Sequence, residues 1–298
     1  MTYHDPVMLK ESTEALKIKK TGIYVDTTYG GGGHSREILN QLSTGKLYAF
    51  DQDLESPGQS EKNEKLVFIN QNFSFITNFL KMHKALPVDG LIADLGISSH
   101  QIDSAGRGFA FRHEGPLDMR MNKNQDLTAE KIVNEYGLDA ITKIFRNYGE
   151  LNNARKLATI IVTQRALTPI STSRQLINCL EDHIPKKHRN KFLAQVFQAL
   201  RIEVNEELGA LKSLLMQCPS VVKKGGRIVF ITYHSLEDRL VKNFIRSGKF
   251  EGDVNKDFYG NILRPFEAVN RKPISPSDEE IERNNRARSA KLRIAERT

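Results

Sequence analysis

The sequence predicts an α/β protein with a doubly wound, mainly parallel sheet and an inserted block of helices. Short apolar runs alternate with segments of helical spacing, which is typical of parallel strands connected by helices. The expected strands are 22–26, 46–50, 66–69, 90–93 and 227–231. Between the fourth and the fifth strand, every periodic segment is helical over about 100 residues.

This helical block divides the chain into two predicted domains. Residues 1–102 and 203–298 carry the sheet, and residues 103–202 form an inserted domain that we expect to recognise the substrate. After a loop at 100–126, the expected helices are 128–136, 138–147, 152–167, 173–182 and a long helix from 189 to about 217. One basic run is as often a solvated face as a binding surface, but two runs in one insert favour a polyanionic partner. These runs are Lys143, Arg146, Arg155, Lys156, Arg165 and Arg174, then Lys186, Lys187, Arg189 and Lys191.

Composition is consistent with a basic protein of the cytoplasm. The 298 residues include 44 Lys and Arg against 36 Asp and Glu, giving a net charge of +8. Such an excess favours a polyanionic partner without requiring one. The distant Cys179 and Cys218 form no metal-ligand or redox pattern, so we expect reduced, buried thiols and no metal. Neither a secretory segment nor a membrane-spanning run is expected.

Four consecutive glycines, Gly30 to Gly33, separate the first apolar run from a segment of helical spacing. A glycine cluster is often a flexible surface loop. Between a strand and a helix, however, a turn without Cβ atoms lets backbone amides approach a ligand, and the helix N-terminus favours negative charge there. We therefore interpret the turn as a nucleotide or nucleoside cradle.

Three of the expected strands end in an aspartate. Asp26, Asp51 and Asp94 follow the first, second and fourth strand, and the carboxyl ends of parallel strands meet at the edge of the sheet that binds ligands. Asp51 lies about 20 positions after the glycine turn, where an acidic residue holds ribose hydroxyls in nucleotide folds. The pattern predicts one polar crevice.

The spacing of the glycines argues against two classes of nucleotide enzyme. The turn leads straight into His34 without the GxGxxG separation of a dinucleotide site, and no GxxxxGK[ST] sequence marks an NTPase. A nucleoside cofactor without phosphates fits better, with Asp51 on its ribose. S-adenosylmethionine is the expected cofactor.

At this point the chain resembles the bacterial MraW/RsmH family, and the resemblance runs nearly from end to end. The matching blocks are His4-x-Pro6-Val7, Asp26-x-Thr28-x-Gly30-x-Gly32-Gly33-His34-Ser35, Asp51-x-Asp53, Asp94-Leu95-Gly96-Ile97-Ser98-Ser99, Arg107-Gly108-Phe109-x-Phe111, residues 115–121, residues 197–205 with a variable position at 203, residues 234–239 and Ala287-Arg288-Ser289. Many long blocks in one order are far more specific than a glycine turn.

The resemblance implies an S-adenosylmethionine-dependent class I methyltransferase fold and a substrate. Family members methylate the exocyclic N4 of a cytosine, cytosine 1402, in 16S rRNA of the small ribosomal subunit. By the same resemblance, the cofactor contacts Gly32, Gly33 and His34, Asp51 holds the ribose, and the site is completed by Phe73, Asp94 and Gln101. The residues alone had pointed to Asp51 and Asp94, but not to Phe73 or Gln101.

Asp94 and His234 are the candidate catalytic residues. The N4 amine is a weak nucleophile, and the sequence lacks the proline-proline-aromatic motif that many amino-methyltransferases carry after the fourth strand. We expect Asp94 or a nearby backbone carbonyl to accept from the amine. Phe109, Phe111 and Tyr233 are the candidates for a ring that stacks on the base, although each alone is as often a core residue. His234 either takes a proton or is a structural residue of the turn capped by Ser235.

The adenine pocket, the function and the oligomeric state are left open by the sequence. Segment 54–64 is shorter and more polar than the helix usual there in the family, which should alter the wall over the adenine. A DNA cytosine-N4 methyltransferase, a small-molecule methyltransferase and a non-catalytic RNA-binding factor regulated by the cofactor remain rival functions. The sequence does not decide between a monomer and a homodimer.

Overall fold

The computed structural model describes residues 6–298, except for the side chains of residues 58 and 59. His4, which belongs to one of the family blocks, lies outside the described residues. The chain forms two compact units. The sheet unit comprises the chain up to Gly96 together with Leu208–Thr298, and the helical unit comprises Ile97–Glu207. These limits lie within a few residues of the two domains expected from the sequence, whose assigned roles remain predictions.

The sheet unit is built on seven strands. They are β1 (Ile23–Asp26), β2 (Lys46–Phe50), β3 (Leu66–Ile69), β4 (Val88–Asp94), β5 (Val222–Thr232), β6 (Phe266–Ala268) and β7 (Lys291–Arg297). Their order is β3-β2-β1-β4-β5-β7-β6, and only the pairs formed by β7 are antiparallel. The predicted doubly wound, mainly parallel sheet is confirmed.

Helices cover both faces of this sheet. They are α1 (Leu9–Ala15), α2 (Gly33–Gln41), α3 (Ile76–Met82), α10 (Glu207–Val221), α11 (Ser235–Ser247) and α12 (Asp278–Arg283). Two apolar clusters result, one on each face, because the central strands are buried on both sides and consist mainly of apolar residues. Among the described residues, no helix has the length and apolar character needed to cross a membrane.

Strand β5 is longer than predicted. The sequence places a turn at 224–226, yet pairing with β4 begins at Val222. Partner positions jump from Val222 to Arg227 while β4 advances only from Val88 to Gly90, and Gly225 has a φ of 74°. The glycines therefore form an irregular bulge inside the strand, which glycine adopts without the strain of a Cβ atom.

The helical unit has its own apolar core. Its helices are α4 (Ser99–Asp103), α5 (Ala129–Glu135), α6 (Leu138–Asn147), α7 (Ala154–Arg165), α8 (Ser173–Leu180) and α9 (Arg189–Asn205). Helix α4 overlaps the start of the stretch that the sequence predicts as loop, because Ser98 and Gln101 form a capping box. The predicted long helix is interrupted at Glu206, whose φ of 49° ends α9.

At the start of α2, Gly33 is in close contact with the segment that precedes α1. A Cβ atom on Gly33 would lie 2.0 Å from Cγ of Pro6. Gly209 on α10 is the opposite case, because a Cβ atom there would meet nothing within 4 Å. The two glycines therefore serve different purposes, and only Gly33 is required by packing.

We predict that Gly33→Ala lowers the melting temperature and that Gly209→Ala raises it. The first change forces Pro6 away from the glycine turn, whereas the second adds about 0.5–1 kcal/mol of helix propensity without a clash. Differential scanning calorimetry of the two variants measures both shifts. Equal melting temperatures for the two variants would show that Pro6 moves aside at no cost.

Candidate functional site

The glycine turn connects β1 to α2 with a backbone that other residues do not readily adopt. Gly30 and Gly32 have φ values of 52° and 75°, and the Gly32 N–H donates to the Tyr29 carbonyl at 2.7 Å. Gly32 is the N-cap of α2 and supplies no side-chain cap. Because the first turn of a helix leaves its N–H groups without intrahelical partners, the amides of Gly33 and His34 are available to a ligand.

Asp26 is used by the turn itself. Its buried carboxylate accepts from the Thr28 N–H at 3.0 Å and from the Ser35 hydroxyl at 2.7 Å. Burial raises the pKa of Asp26, and the charge of His34 opposes that rise. Of the three strand-end aspartates, this one ties the end of β1 to the start of α2.

Asp51 follows β2 and lies beside the glycine turn. Its Oδ2 accepts from the Gly30 N–H at 2.9 Å, and its Oδ1 accepts from the Asp53 N–H at 2.9 Å. Burial raises the pKa of Asp51 to about 6, although both backbone hydrogen bonds favour the ionised form. The Ser56 side chain also hydrogen-bonds this carboxylate, and a ribose diol can use the acceptor capacity that remains.

Asp94 ends β4 and connects three elements of the sheet unit. Its N–H donates to the Thr28 hydroxyl oxygen at 2.7 Å, and its Oδ1 accepts from the Tyr233 hydroxyl at 2.7 Å. Its Oδ2 lies 3.7 Å from Nδ1 of His34. Burial raises the pKa of Asp94 to about 6, against the opposing influence of His34 and of the Tyr233 hydrogen bond.

The orientation of the His34 ring follows from its other nitrogen. Nε2 lies 3.1 Å from the Val7 carbonyl, which can only accept, so Nε2 carries a hydrogen. Nδ1 then faces Asp94 either as a second donor or as a lone pair.

The turn after β5 places Tyr233 and His234. The sequence suggested Ser235 as the cap of α11, but His234 is the N-cap, and its side chain forms a capping box with Glu237. The Glu237 carboxylate accepts from the Tyr233 N–H at 2.9 Å. His234 Nε2 lies 3.2 Å from Glu237 Oε1 but without hydrogen-bonding geometry. These contacts favour the structural interpretation of His234 over its role in proton transfer, which remains a prediction.

The two residues suggested only by family resemblance lie in different units. Phe73 begins a 3₁₀ turn after β3 and is half-buried against the core of the sheet unit. Loops after β2 and β3 are joined where Asn70 donates to the Asp51 carbonyl at 2.8 Å. Gln101 belongs to the helical unit, where its side chain accepts from the Ser98 N–H at 3.1 Å.

Two of the three candidate stacking rings belong to the packing of the helical unit. Phe109 is buried in the core, with the Arg107 guanidinium 5.7 Å from its ring centroid. Phe111 is half-buried and packs edge-on against Phe197, with the ring centroids 6.0 Å apart. The Phe109 ring is therefore not free to stack on a base, because it is enclosed by its own unit.

Segment 54–64 has no α-helix, as expected from its polar sequence, and contains only a 3₁₀ turn at Pro57–Ser60. It lies against the glycine turn from outside, because the Tyr29 hydroxyl donates to the Glu61 carboxylate. The Tyr29 ring also packs edge-on against Phe68. Segment 54–64, which departs from the family pattern, therefore stabilises the glycine turn through this hydrogen bond.

The hydrogen bonds that Thr28 and Tyr233 make with Asp94 were not predicted from the sequence. Thr28 stands in the family block beside Asp26, and Tyr233 was considered only as a stacking ring. These contacts connect residues that are far apart in the chain, so no local sequence pattern predicts them. A polar residue directly after a parallel strand is the signal that could have suggested both.

Fold and site together define the class. A seven-stranded sheet whose β7 alone runs antiparallel, a glycine turn after β1 and an acid after β2 form a class I methyltransferase fold. The family model described as MraW methylase family matches residues 1–298. The chain belongs to this family, as the sequence blocks predicted.

Named relatives agree with the family match. A protein of Amoebophilus asiaticus, named Ribosomal RNA small subunit methyltransferase H, is 55% identical over 100% of this chain and 96% of its own length. A protein of Cytophaga hutchinsonii with the same name is 55% identical over 99% of each chain. The crystal structure of an rRNA methylase from Streptococcus thermophilus aligns at a TM-score of 0.39 with 13% identity, covering 100% of this chain and 98% of that one.

We predict that Asp51→Asn weakens binding of S-adenosylmethionine by about tenfold or more, because it replaces a charged acceptor with a neutral amide. In the wild type, affinity should fall as the pH drops below about 6, where Asp51 takes up a proton. The variant should lose this part of the pH dependence. Isothermal titration calorimetry measures both effects between about pH 5 and 8, a range that extends roughly one to two pH units on either side of the Asp51 pKa.

The matched control is Glu64→Gln, the same chemical change at an exposed carboxylate of the sheet unit. It should leave both the affinity and its pH dependence unchanged. Wild-type affinity in Asp51→Asn would remove Asp51 from the cofactor site.

Proposed function

We propose that this protein transfers a methyl group from S-adenosylmethionine to the exocyclic N4 of a cytosine in 16S rRNA of the small ribosomal subunit. By family resemblance the target is cytosine 1402. The match of the whole chain to a methylase family is the observation that carries the proposal. The relatives' shared name, Ribosomal RNA small subunit methyltransferase H, supports the choice of RNA.

The sheet unit offers a set of groups suited to this cofactor. Asp51 supplies carboxylate oxygens for the ribose hydroxyls, and the first-turn amides of Gly33 and His34 supply donors. By family resemblance, Phe73, Asp94 and Gln101 complete the proposed set. The bound cofactor supplies an electrophilic methyl group on its sulfonium.

Asp94 is the group proposed to act on the cytosine amine. The N4 lone pair is delocalised into the ring, so an acceptor that takes a hydrogen bond from the N4–H returns electron density to the nitrogen. An ionised Asp94 is the stronger acceptor, because protonation removes its charge and commits one of its oxygens to an O–H group. The Tyr233 hydroxyl bonds Oδ1, so Oδ2 is the oxygen left for the amine.

Positioning accounts for the rest of the proposed mechanism. In-line transfer of a methyl group needs the nucleophile behind the sulfonium carbon, and holding the reactants in that geometry lowers the barrier more than acid–base chemistry does. Tyr233 and Thr28 fix the carboxylate and the backbone of Asp94. Tyr233 is therefore a positioning residue.

The helical unit is proposed to hold the RNA. Most basic side chains of its two basic runs are exposed, which suits contacts with phosphates. Some are already paired, since Arg155 lies 3.0 Å from Asp139 and Arg189 pairs with Glu181. The exposed members of these runs include Lys143, Arg146, Lys156, Arg174, Lys186, Lys187 and Lys191.

Labelled S-adenosylmethionine tests the proposal against its rivals. The protein is incubated with small subunits that lack the modification, with naked 16S rRNA, with DNA and with buffer, and the nucleosides are analysed by mass spectrometry. We expect labelled N4-methylcytidine from the ribosomal substrates alone. Label in DNA would favour the DNA methyltransferase, and cofactor binding without label anywhere would favour the non-catalytic factor.

We predict that Tyr233→Phe moves the acid limb of the kcat profile to higher pH and lowers kcat at pH 6. The Tyr233 hydroxyl lowers the pKa of Asp94 by donating to it, so its loss raises that pKa and leaves less ionised Asp94 at a given pH. Single-turnover methyl transfer measured across the pH range determines the limb.

Tyr24→Phe is the control, because it removes a hydroxyl at the amino end of β1, where it accepts from the Lys19 N–H at 2.7 Å. Its acid limb should coincide with that of the wild type. An unshifted limb in Tyr233→Phe would contradict the positioning role.

A further inference from the structure

A turn on the sheet unit presents two aromatic rings to water. Residues 256–262, the aromatic turn, lie between α11 and β6, and Lys256 pairs with Ile262 across it. Phe258 is 97% exposed and Tyr259 is 85% exposed. Their rings contact each other edge-on at 5.6 Å. Scattered apolar residues on a surface are ordinary, but two adjacent rings with this exposure form a distinct feature.

Hydrogen bonds to one side chain give the aromatic turn a defined shape. The Asp257 carboxylate accepts from the N–H groups of Tyr259 and Asn261 at 2.9 and 2.8 Å, and from the Asn261 side chain at 3.0 Å. Gly260 has a φ of 86°, which lets the chain reverse. The rings are therefore held outward by the backbone.

The base of the aromatic turn is anchored to the sheet unit. Phe250 stacks on Phe244 of α11 with the ring centroids 5.8 Å apart, and its carbonyl accepts from the Asn243 side chain at 2.9 Å. Leu263 donates its N–H to the Asn255 carbonyl at 2.8 Å. A firm base with exposed rings at the tip is suited to contact with a partner.

The chemistry around the rings favours RNA as that partner. Residues 239–264 contain six basic and three acidic residues, and the basic side chains of Lys242, Arg246 and Lys256 are exposed. Unpaired bases of single-stranded RNA stack on aromatic side chains, while lysine and arginine contact the neighbouring phosphates. Ile262 and Leu263 add apolar surface at 37% and 56% exposure. The excess of positive charge nevertheless favours RNA, because the core of a protein interface is depleted in charged residues.

We propose that Phe258 or Tyr259 stacks on an unpaired base of the rRNA substrate while Lys256 contacts a phosphate beside it. The proposal rests on the function proposed above. It adds a second RNA contact, on the sheet unit. The rings contact each other and water, so their removal leaves the fold intact.

Equilibrium binding to naked 16S rRNA and to small subunits, measured at several salt concentrations with the full chain, tests this contact. Phe258→Ala/Tyr259→Ala should lower affinity for both by about tenfold or more, because stacking on one base contributes this much. The slope of log affinity against log salt should not change. Lys256→Gln should instead reduce that slope by about 0.7, the value for one phosphate contact to a single strand.

Two further variants separate stacking from apolar contact. Phe258→Leu/Tyr259→Leu keeps apolar side chains without rings and should bind as weakly as the alanine variant, whereas Phe258→Trp should bind like the wild type. Wild-type affinity in the leucine variant would overturn the proposal. So would a loss confined to assembled subunits, which would indicate a protein partner, or a fall from dimer to monomer by light scattering, which would indicate a second copy.

Methyl transfer by the wild type is measured in the same preparations. If the wild type labels no ribosomal substrate, the proposed function fails irrespective of the aromatic turn. If the wild type labels RNA and the alanine variant binds and methylates equally well, the aromatic turn is not an RNA contact. An unchanged melting temperature in the alanine variant excludes misfolding as the cause of a loss.

Discussion

The half-buried carboxylate of Asp94 constrains most of the candidate site. It stands at the end of the central strand β4, where the parallel strands on either side also end. The Tyr233 hydroxyl holds one of its oxygens, and His34 faces the other. Through Thr28 its backbone is tied to the glycine turn. The segments after β1, β4 and β5 are therefore fixed around a single acidic group.

Burial of these carboxylates lowers the stability of the folded sheet unit by an amount that depends on pH. Burial raises the pKa of both Asp51 and Asp94 to about 6, so above that pH each ionised carboxylate destabilises the folded sheet unit. This destabilisation disappears as the pH falls from about 6 toward 3.8, the usual pKa of an aspartate. Over that range the folded state binds more protons than the unfolded state does. The ionised forms that lower stability are the forms that the proposed chemistry requires.

Much of the fold follows from sequence, and the failures have physical causes. The strands β2 and β3 and the helix α6 have the predicted bounds, because apolar periodicity and turn residues agree there. The interruption at Glu206 was missed because a non-glycine residue adopts a left-handed conformation only where tertiary contacts impose it. The extended β5 was missed because glycines predict a turn more often than a bulge.

The candidate site residues were likewise predictable only where the sequence signal is local. Asp51 and Asp94 could be proposed from the sequence because a carboxylate after a parallel strand is a local signal with a known meaning. The bond between Tyr233 and Asp94 joins residues 139 positions apart, and sequence spacing contains no information about it. For Phe109 the sequence left a stacking ring and a core residue as equal alternatives, and its burial in the helical unit favours the core.

Titration of Asp94 by nuclear magnetic resonance, using protein with ¹³C-labelled aspartate carboxyl carbons, tests the central claim most directly. The Asp94 signal, assigned by its absence from Asp94→Asn, should titrate with a midpoint near 6 and move to a higher midpoint in Tyr233→Phe. A midpoint near the usual 3.8 that does not change in Tyr233→Phe would contradict the account.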